Sequence, residues 1–361
     1  MKNITYGSIF DFFKTETDWT TFSPGLKRVR KALKDLGNPD HVFKSIVIGG
    51  TNGKGTVTYN LAKRLGESTG LFQSPHLVDI RERITLSSKW INDEHWEKAY
   101  QEIKKRTEGL FSYYEWLFLI ACLVFRDFEC KWAVFEVGMG GRLDAVNALE
   151  PICSGLTSIS LDHERFLGNT KAEIAAEKVE ICRLNKPFFI SESVLKYEIV
   201  KEIINRKKPK VSQIPDLNRF QDNAILVDAV SKFLGCDAMP FLTPPGRREV
   251  IGETLYLDTA HNESAWRDTM KWLESKDISQ INILFALTGE RKPKIFKEIF
   301  QPVAREFFAW GGDLYHSIPR RDYELAGVQF VDKLEELLSE PLFVCGTHSL
   351  VGLVRKTVMM A

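Results

Sequence analysis

The run Gly49-Gly50-Thr51-Asn52-Gly53-Lys54-Gly55-Thr56 follows the apolar stretch KSIVI and precedes the helical pattern VTYNLAKRLGES. Strand, glycine loop and helix stand in the order that phosphate binding requires. Glycines let backbone N–H groups converge on phosphate oxygens, and the helix N-terminus adds positive potential. Lys54 would neutralise phosphate charge and the Thr56 hydroxyl would ligate Mg2+. The strict pattern G-x-x-x-x-G-K-[ST] is not met, because Gly55 stands between Lys54 and Thr56. On these residues alone, a glycine-rich turn joining a strand to a helix competes with a phosphate site. Glu136 stands near the end of WAVFEV, an apolar run in which an ionised carboxylate is costly unless it serves a cation, so it is a candidate metal ligand.

The elements that must carry these residues read as α/β. Short β-branched runs alternate with longer segments of helical period, which predicts a mostly parallel, doubly wound sheet. Strands are expected at Ser45 to Gly49, Trp132 to Gly138, Ser154 to Ile159 and Pro187 to Ser191, with a helix in Thr170 to Arg183. After Lys207 the chain turns basic and proline-bearing, then Asn223 to Leu234 reads as helix. The segment FLTPPGRRE places a boundary near Thr243, giving domains 1–242 and 243–361. In the second, smaller α/β domain, LYLDTAH, INILFALTG, FFAWGG and LFVCGTH are strand-like runs ending in small or polar residues. Ligands in open α/β sheets sit beyond the carboxyl ends of strands, which directs attention to those ends.

Composition narrows the function classes. In 361 residues, 49 Lys and Arg face 48 Asp and Glu, a net charge of +1 that argues against a nucleic-acid binder. The content is 44% hydrophobic and 27% charged, ordinary for a globular chain. The longest apolar run, Trp116 to Phe125, is shorter than the ~20 residues of a membrane span and predicts a buried helix. The N-terminal MKNITYGSIFDFFKTETDW meets acidic residues before any apolar core of a signal could form, so a cytoplasmic location without membrane partner is expected. Six scattered cysteines show no C-x-x-C pair and read as reduced core residues.

GTNGKGT is the variant of the phosphate loop found in folylpolyglutamate synthases and dihydrofolate synthases, relatives of the Mur ligases. Further landmarks follow in order. Gln73-Ser74-Pro75-His76-Leu77 with Arg81-Glu82-Arg83-Ile84 resembles the family's S-P-H-L and N-E-R-I elements. Glu136 to Asn147, EVGMGGRLDAVN, is similar to E-V-G-x-G-G-R-L-D-A-x-N. Leu161-Asp162-His163, Lys178 in AAEKVEI, Gln221-x-Asn223-Ala224, Pro245-Gly246-Arg247, Asp258 to Asn262 and Gly346 to Arg355 complete the series. Val179-Glu180 replaces the usual Ala-Gly after the lysine, and Tyr114-Glu115-Trp116-Leu117-Phe118 stands where F-E-x-x-T is common. Mur ligases proper carry a UDP-binding domain ahead of the loop, for which the 48 residues before Gly49 are too few.

The resemblance implies an ATP-dependent ligase that activates a carboxylate as an acyl phosphate and joins it to L-glutamate. It implies that Gly50, Thr51, Asn52, Gly53, Lys54, Gly55, Thr56, Asn223, Arg247, Asp258 and His261 bind ATP. It further implies that Thr56, Ser74, Glu136 and His163 hold one or two Mg2+ and that Pro75, His76, Arg83 and Asp144 face the folate. Lys54, His163 and a carbamylated Lys178 would serve catalysis, with K+ as an accompanying cation. Dihydropteroate as acceptor would make a dihydrofolate synthase, and tetrahydrofolate a folylpolyglutamate synthase; the motifs do not choose between them. A phosphate-loop kinase or nucleotide switch, and an inactive relative kept as a binding protein, remain the other readings. A monomer is expected.

Overall fold

In the first strand, β1 (Lys44–Gly49), every residue after Lys44 is buried, as a central parallel strand covered on both faces requires. The computed structural model describes residues 25–217, 220–289, 291–312, 314 and 317–360; the N-terminal segment read above for a secretory signal lies outside the described residues. The chain divides into two compact units, Met1–Leu242 and Thr243–Ala361.

The first unit holds β1, β2 (Thr69–Phe72), β3 (Ile84–Leu86), β4 (Lys89–Trp90), β5 (Trp132–Glu136), β6 (Cys153–Leu156), β7 (Pro187–Ser191) and β8 (Lys210–Ile214). They form an eight-stranded sheet in the order β4-β3-β2-β5-β1-β6-β7-β8. Pairing is parallel from β2 to β8, and β3 and β4 add an antiparallel edge. β1 lies between β5 and β6, so Ile48 pairs with Glu136 on one side and Gly155 on the other. The Lys54–Leu65 and Asn223–Leu234 helices share one apolar cluster through Val57, Leu61, Leu226 and Val230. The Tyr113–Asp127 helix belongs to a separate cluster with Val47, Phe135 and Val179. Two apolar layers around one sheet are the doubly wound arrangement.

Gly70 in β2 answers to packing: a Cβ there would sit 2.5 Å from the Phe125 ring. The basic segment after Lys207, given no strand by its sequence, supplies β8, whose mostly exposed side chains mark it as the sheet's edge. The strand expected to run to Ile159 stops at Leu156, because Thr157 to Ser160 leave the sheet to meet the phosphate loop.

The second unit holds β9 (Glu249–Ile251), β10 (Leu255–Asp258), β11 (Ile281–Phe285), β12 (Ala304–Trp310), β13 (Gln329–Val331) and β14 (Leu342–Cys345). Their order is β13-β12-β11-β14-β10-β9, parallel except for β9. Phe285, Phe296, Phe300 and Phe343 anchor its core. All six cysteines are unpaired, five of them buried. Among the described residues, no helix is long and apolar enough to cross a membrane.

Candidate nucleotide site

The turn after β1 is shaped by what presses on it. Gly50 has φ +128°, and a Cβ there would lie 1.9 Å from the Thr157 hydroxyl; Gly53 has φ +94° and would meet the Asn223 amide at 2.5 Å. Only glycine fits both positions. Thr51 N–H donates to the Ser158 carbonyl at 2.7 Å, and the Thr51 hydroxyl accepts from Ser160 N–H at 3.2 Å. The Asn52 amide donates to the Ser160 hydroxyl at 3.4 Å. The loop is therefore braced by the segment that follows β6.

The helix that starts at Lys54 has Gly53 as its N-cap, without a side-chain cap and without an acid in the first turn. Its N-terminal N–H groups and dipole are suited to an anion. Lys54 Nζ donates to the Thr51 carbonyl at 3.1 Å, curled back over the turn. Thr56 is buried in the same turn.

Glu136 ends β5 beside this turn, 4% exposed, and a Cβ on Gly55 would come within 3.3 Å of its Oε2. That oxygen accepts Ser74 N–H at 3.1 Å. Tyr114 donates its hydroxyl proton to the Glu136 carbonyl at 3.0 Å, and its ring lies 2.7 Å from where a Gly138 Cβ would be. Burial, then Asp144 and Glu136, push the Tyr114 phenol well above its ordinary value.

Lys178, on the Lys171–Val179 helix, is 3% exposed and donates to the Gly50 carbonyl at 2.9 Å. Burial first, then Lys54, bring its pKa down to about 7, with Asp162 and Asp144 opposing. Asp144 accepts Met139 N–H and Val146 N–H, both at 2.9 Å, and burial raises its pKa to about 6 against those bonds. His163, at φ 51°, stands beside Asp162, whose carboxylate accepts His163 N–H at 3.1 Å; the His163 side chain is 46% exposed. Among the described residues no three His, Cys, Asp or Glu side chains form a group able to hold a metal. The buried Glu136 carboxylate and Thr56 hydroxyl are hard oxygen donors of the kind Mg2+ takes alongside phosphate oxygens and water, and in that sense the residues fit the ion.

Beyond Ser74 and Pro75, His76 Nδ1 accepts Arg83 Nε–H at 2.8 Å. Burial and the Arg83 charge hold His76 down to about 3, so the ring is neutral and its proton is on Nε2. Arg83 lies over the Tyr113 ring at 5.3 Å. Glu82 secures the segment by accepting the Leu77, Val78 and Asp79 N–H groups. Ser74 thus ties the His76 and Arg83 pair to Glu136.

In the second unit, Asp258 ends β10, buried, and accepts the Thr269 hydroxyl at 2.7 Å and Ala260 N–H at 3.2 Å. Burial raises its pKa, while Arg247 and Arg248 act to lower it. Arg247 Nη2 lies 3.1 Å from His348 Nε2, and the His261 and His348 ring centroids are 5.7 Å apart. Asn262 caps the Glu263–Glu274 helix through Ala265 N–H. Sequence reasoning missed Ser158, Ser160 and Tyr114 as members of the site, and His348 beside Arg247. The small polar residues after β6, and the histidine after Gly346 at the end of β14, were the available signals.

No family model matches the sequence. The dihydrofolate synthetase of Saccharomyces cerevisiae is 37% identical over 240 residues, 63% of this chain and 55% of that protein. The dihydrofolate synthase/folylpolyglutamate synthase of Bacillus subtilis is 35% identical over 175 residues, 45% of this chain and 41% of that one. The chain is a homologue of the dihydrofolate and folylpolyglutamate synthases. It spans about half the length of these synthases, or less. The solved structure of E. coli FolC in complex with DHPP and ADP matches at a TM-score of 0.85 over 98% of both chains, at 21% identity. At that identity the likeness is one of fold, and the fold is the two-unit α/β architecture of that synthase.

Proposed function

We propose that the chain is an ATP- and Mg2+-dependent ligase that joins L-glutamate to dihydropteroate, to a reduced folate such as tetrahydrofolate, or to both, through an acyl phosphate. The observation that carries this reading is the uncapped helix N-terminus behind Gly50 to Thr56, flanked by buried Glu136 and Lys178, in a homologue of these synthases. The loop N–H groups receive the ATP phosphates, and Lys54 exchanges the Thr51 carbonyl for a phosphate oxygen. Thr56, Ser74, Glu136 and His163 are assigned to Mg2+, which supplies charge neutralisation between two anions that must meet. The substrate carboxylate attacks the γ-phosphorus and ADP leaves. The glutamate amine then attacks the acyl carbon, phosphate departs, and the amide remains.

Asn223 backs the loop, and Arg247, Asp258 and His261 of the second unit are assigned to the nucleotide as well. Pro75, His76, Arg83 and Asp144 are assigned to the folate side, where a neutral His76 donates from Nε2 and Arg83 supplies positive charge. Lys178 must be neutral to attack CO2; the N–C bond forms, a proton leaves, and a carbamate anion replaces a cation beneath the loop. A pKa of about 7 leaves much of the amine neutral near neutral pH. K+ as accompanying cation, a monomeric state and a cytoplasmic location belong to the same reading.

The test offers purified protein dihydropteroate or tetrahydrofolate separately, with ATP and Mg2+, and follows phosphate and product mass. Phosphate release is expected only when L-glutamate is added. Release without glutamate would establish a kinase or hydrolase instead, and no release with either acceptor an inactive relative. Lys54→Ala is expected to abolish turnover, a loss of at least ~100-fold, with the thermal midpoint unchanged; wild-type rates in that variant would overturn the phosphate-loop assignment.

A further inference from the structure

In the second unit the turn carrying Arg247 is held firmly by its backbone. Arg247 N–H donates to the Pro244 carbonyl at 3.1 Å and Thr259 N–H to the Gly246 carbonyl at 2.9 Å. Gly246 N–H donates to Glu249 Oε2 at 2.7 Å, and Glu249 is itself paired with Arg355 at 2.9 Å. The guanidinium ends a long stem whose rotamers are ordered by the groups that it meets. His348, the first residue of the helix that follows β14, meets it. Gly346 has φ +107°, and a Cβ there would lie 2.1 Å from the Ala286 carbonyl, so the chain leaves β14 along one path. The Thr347 hydroxyl accepts Leu350 N–H at 3.1 Å and fixes the first turn of the His348–Met360 helix. His348 therefore presents its ring from a rigid base.

We propose that His348 is a positioning residue that holds the Arg247 guanidinium and thereby raises the affinity for nucleotide. An arginine has only donors, so at 3.1 Å the His348 Nε2 must be the acceptor, with the ring neutral and its proton on Nδ1. The His348 ring also faces His261 at 5.7 Å, and His261 Nδ1 lies 3.1 Å from the Thr259 carbonyl. Fixing the Arg247 guanidinium before ligand arrives removes an ordering cost from binding. The inference rests on the reading of Arg247 as a nucleotide ligand.

The dissociation constant of ATP with Mg2+, measured on the full chain, tests it. His348→Leu is expected to weaken binding roughly tenfold, as loss of a hydrogen bond to a charged group does. His348→Gln, which keeps an acceptor near the Nε2 position, is expected to recover most of that loss. In an Arg247→Ala background, His348→Leu should change the constant by less than about twofold, because the partner is already gone. An equal cost in both backgrounds would make His348 a packing residue and overturn the proposal. So would wild-type affinity in His348→Leu alongside a weakened Arg247→Ala, which would leave the reading of Arg247 standing. Unchanged affinity in Arg247→Ala, or no binding by the wild type, would overturn the reading of the site and this proposal with it.

Discussion

Lys178 carries an ammonium group that the fold does not welcome. Its Nζ has the Gly50 carbonyl as acceptor, yet burial and Lys54 depress its pKa from 10.5 to about 7. In the unfolded chain the lysine keeps its proton up to about its ordinary value. Between pH 7 and 10.5 the unfolded state therefore binds more protons than the folded one, and stability rises with pH through that window. Below pH 7 the full penalty is present. The wild-type unfolding free energy is expected to climb relative to that of Lys178→Met as pH goes from about 7 to 10; parallel curves would show that Lys178 is not held near neutrality. Gly50 and Gly53 were legible in the sequence because no other residue tolerates their φ angles and close neighbours. Tyr114 was not, because a tyrosine in an apolar helix looks the same whether its hydroxyl meets solvent or the Glu136 carbonyl.

The helix bearing Lys178 is set by a reciprocal cap at its start. The Thr170 hydroxyl accepts Glu173 N–H at 3.2 Å, while the Glu173 carboxylate accepts Thr170 N–H at 3.0 Å and Asn169 N–H at 2.8 Å. Thr170→Ala is expected to cost about 1 kcal/mol in urea unfolding, with the slope unchanged; a cost near zero would mean that tertiary packing alone fixes the helix. Such a cap follows from local residue order, which is why Lys171–Val179 was readable; Asn223–Leu234, without a side-chain cap, was readable from its helical apolar period. The edge strand β8 was not, since its exposed side chains carry no apolar alternation and its identity comes from pairing with β7.

At the scale of the whole chain, the segment leading to Thr243 is fastened to the phosphate-loop helix. Asn60, 1% exposed on that helix, accepts Leu242 N–H at 2.7 Å and donates to the Leu242 carbonyl at 2.9 Å. Arg64 adds a bond to the Met239 carbonyl at 2.7 Å. Asn60→Ala is expected to speed thermolysin cleavage between Cys236 and Pro245 by severalfold, followed by fragment mass, because local opening there would lose two backbone anchors. An unchanged cleavage rate would show that the segment is held by other contacts. The amino-acid order alone determined the alternation of strands and helices, the glycine loop and the apolar strand that delivers Glu136, since these follow from local propensity, hydrophobic period and residue shape. The tertiary structure decided which distant groups surround the loop. Thr157 to Ser160, Lys178 and Asn223 reach Gly50 to Gly53 because β6 lies beside β1 in the sheet, and His348 reaches Arg247 because β14 lies beside β10. Strand neighbours are chosen by the burial of whole faces, a property that no short stretch of sequence contains.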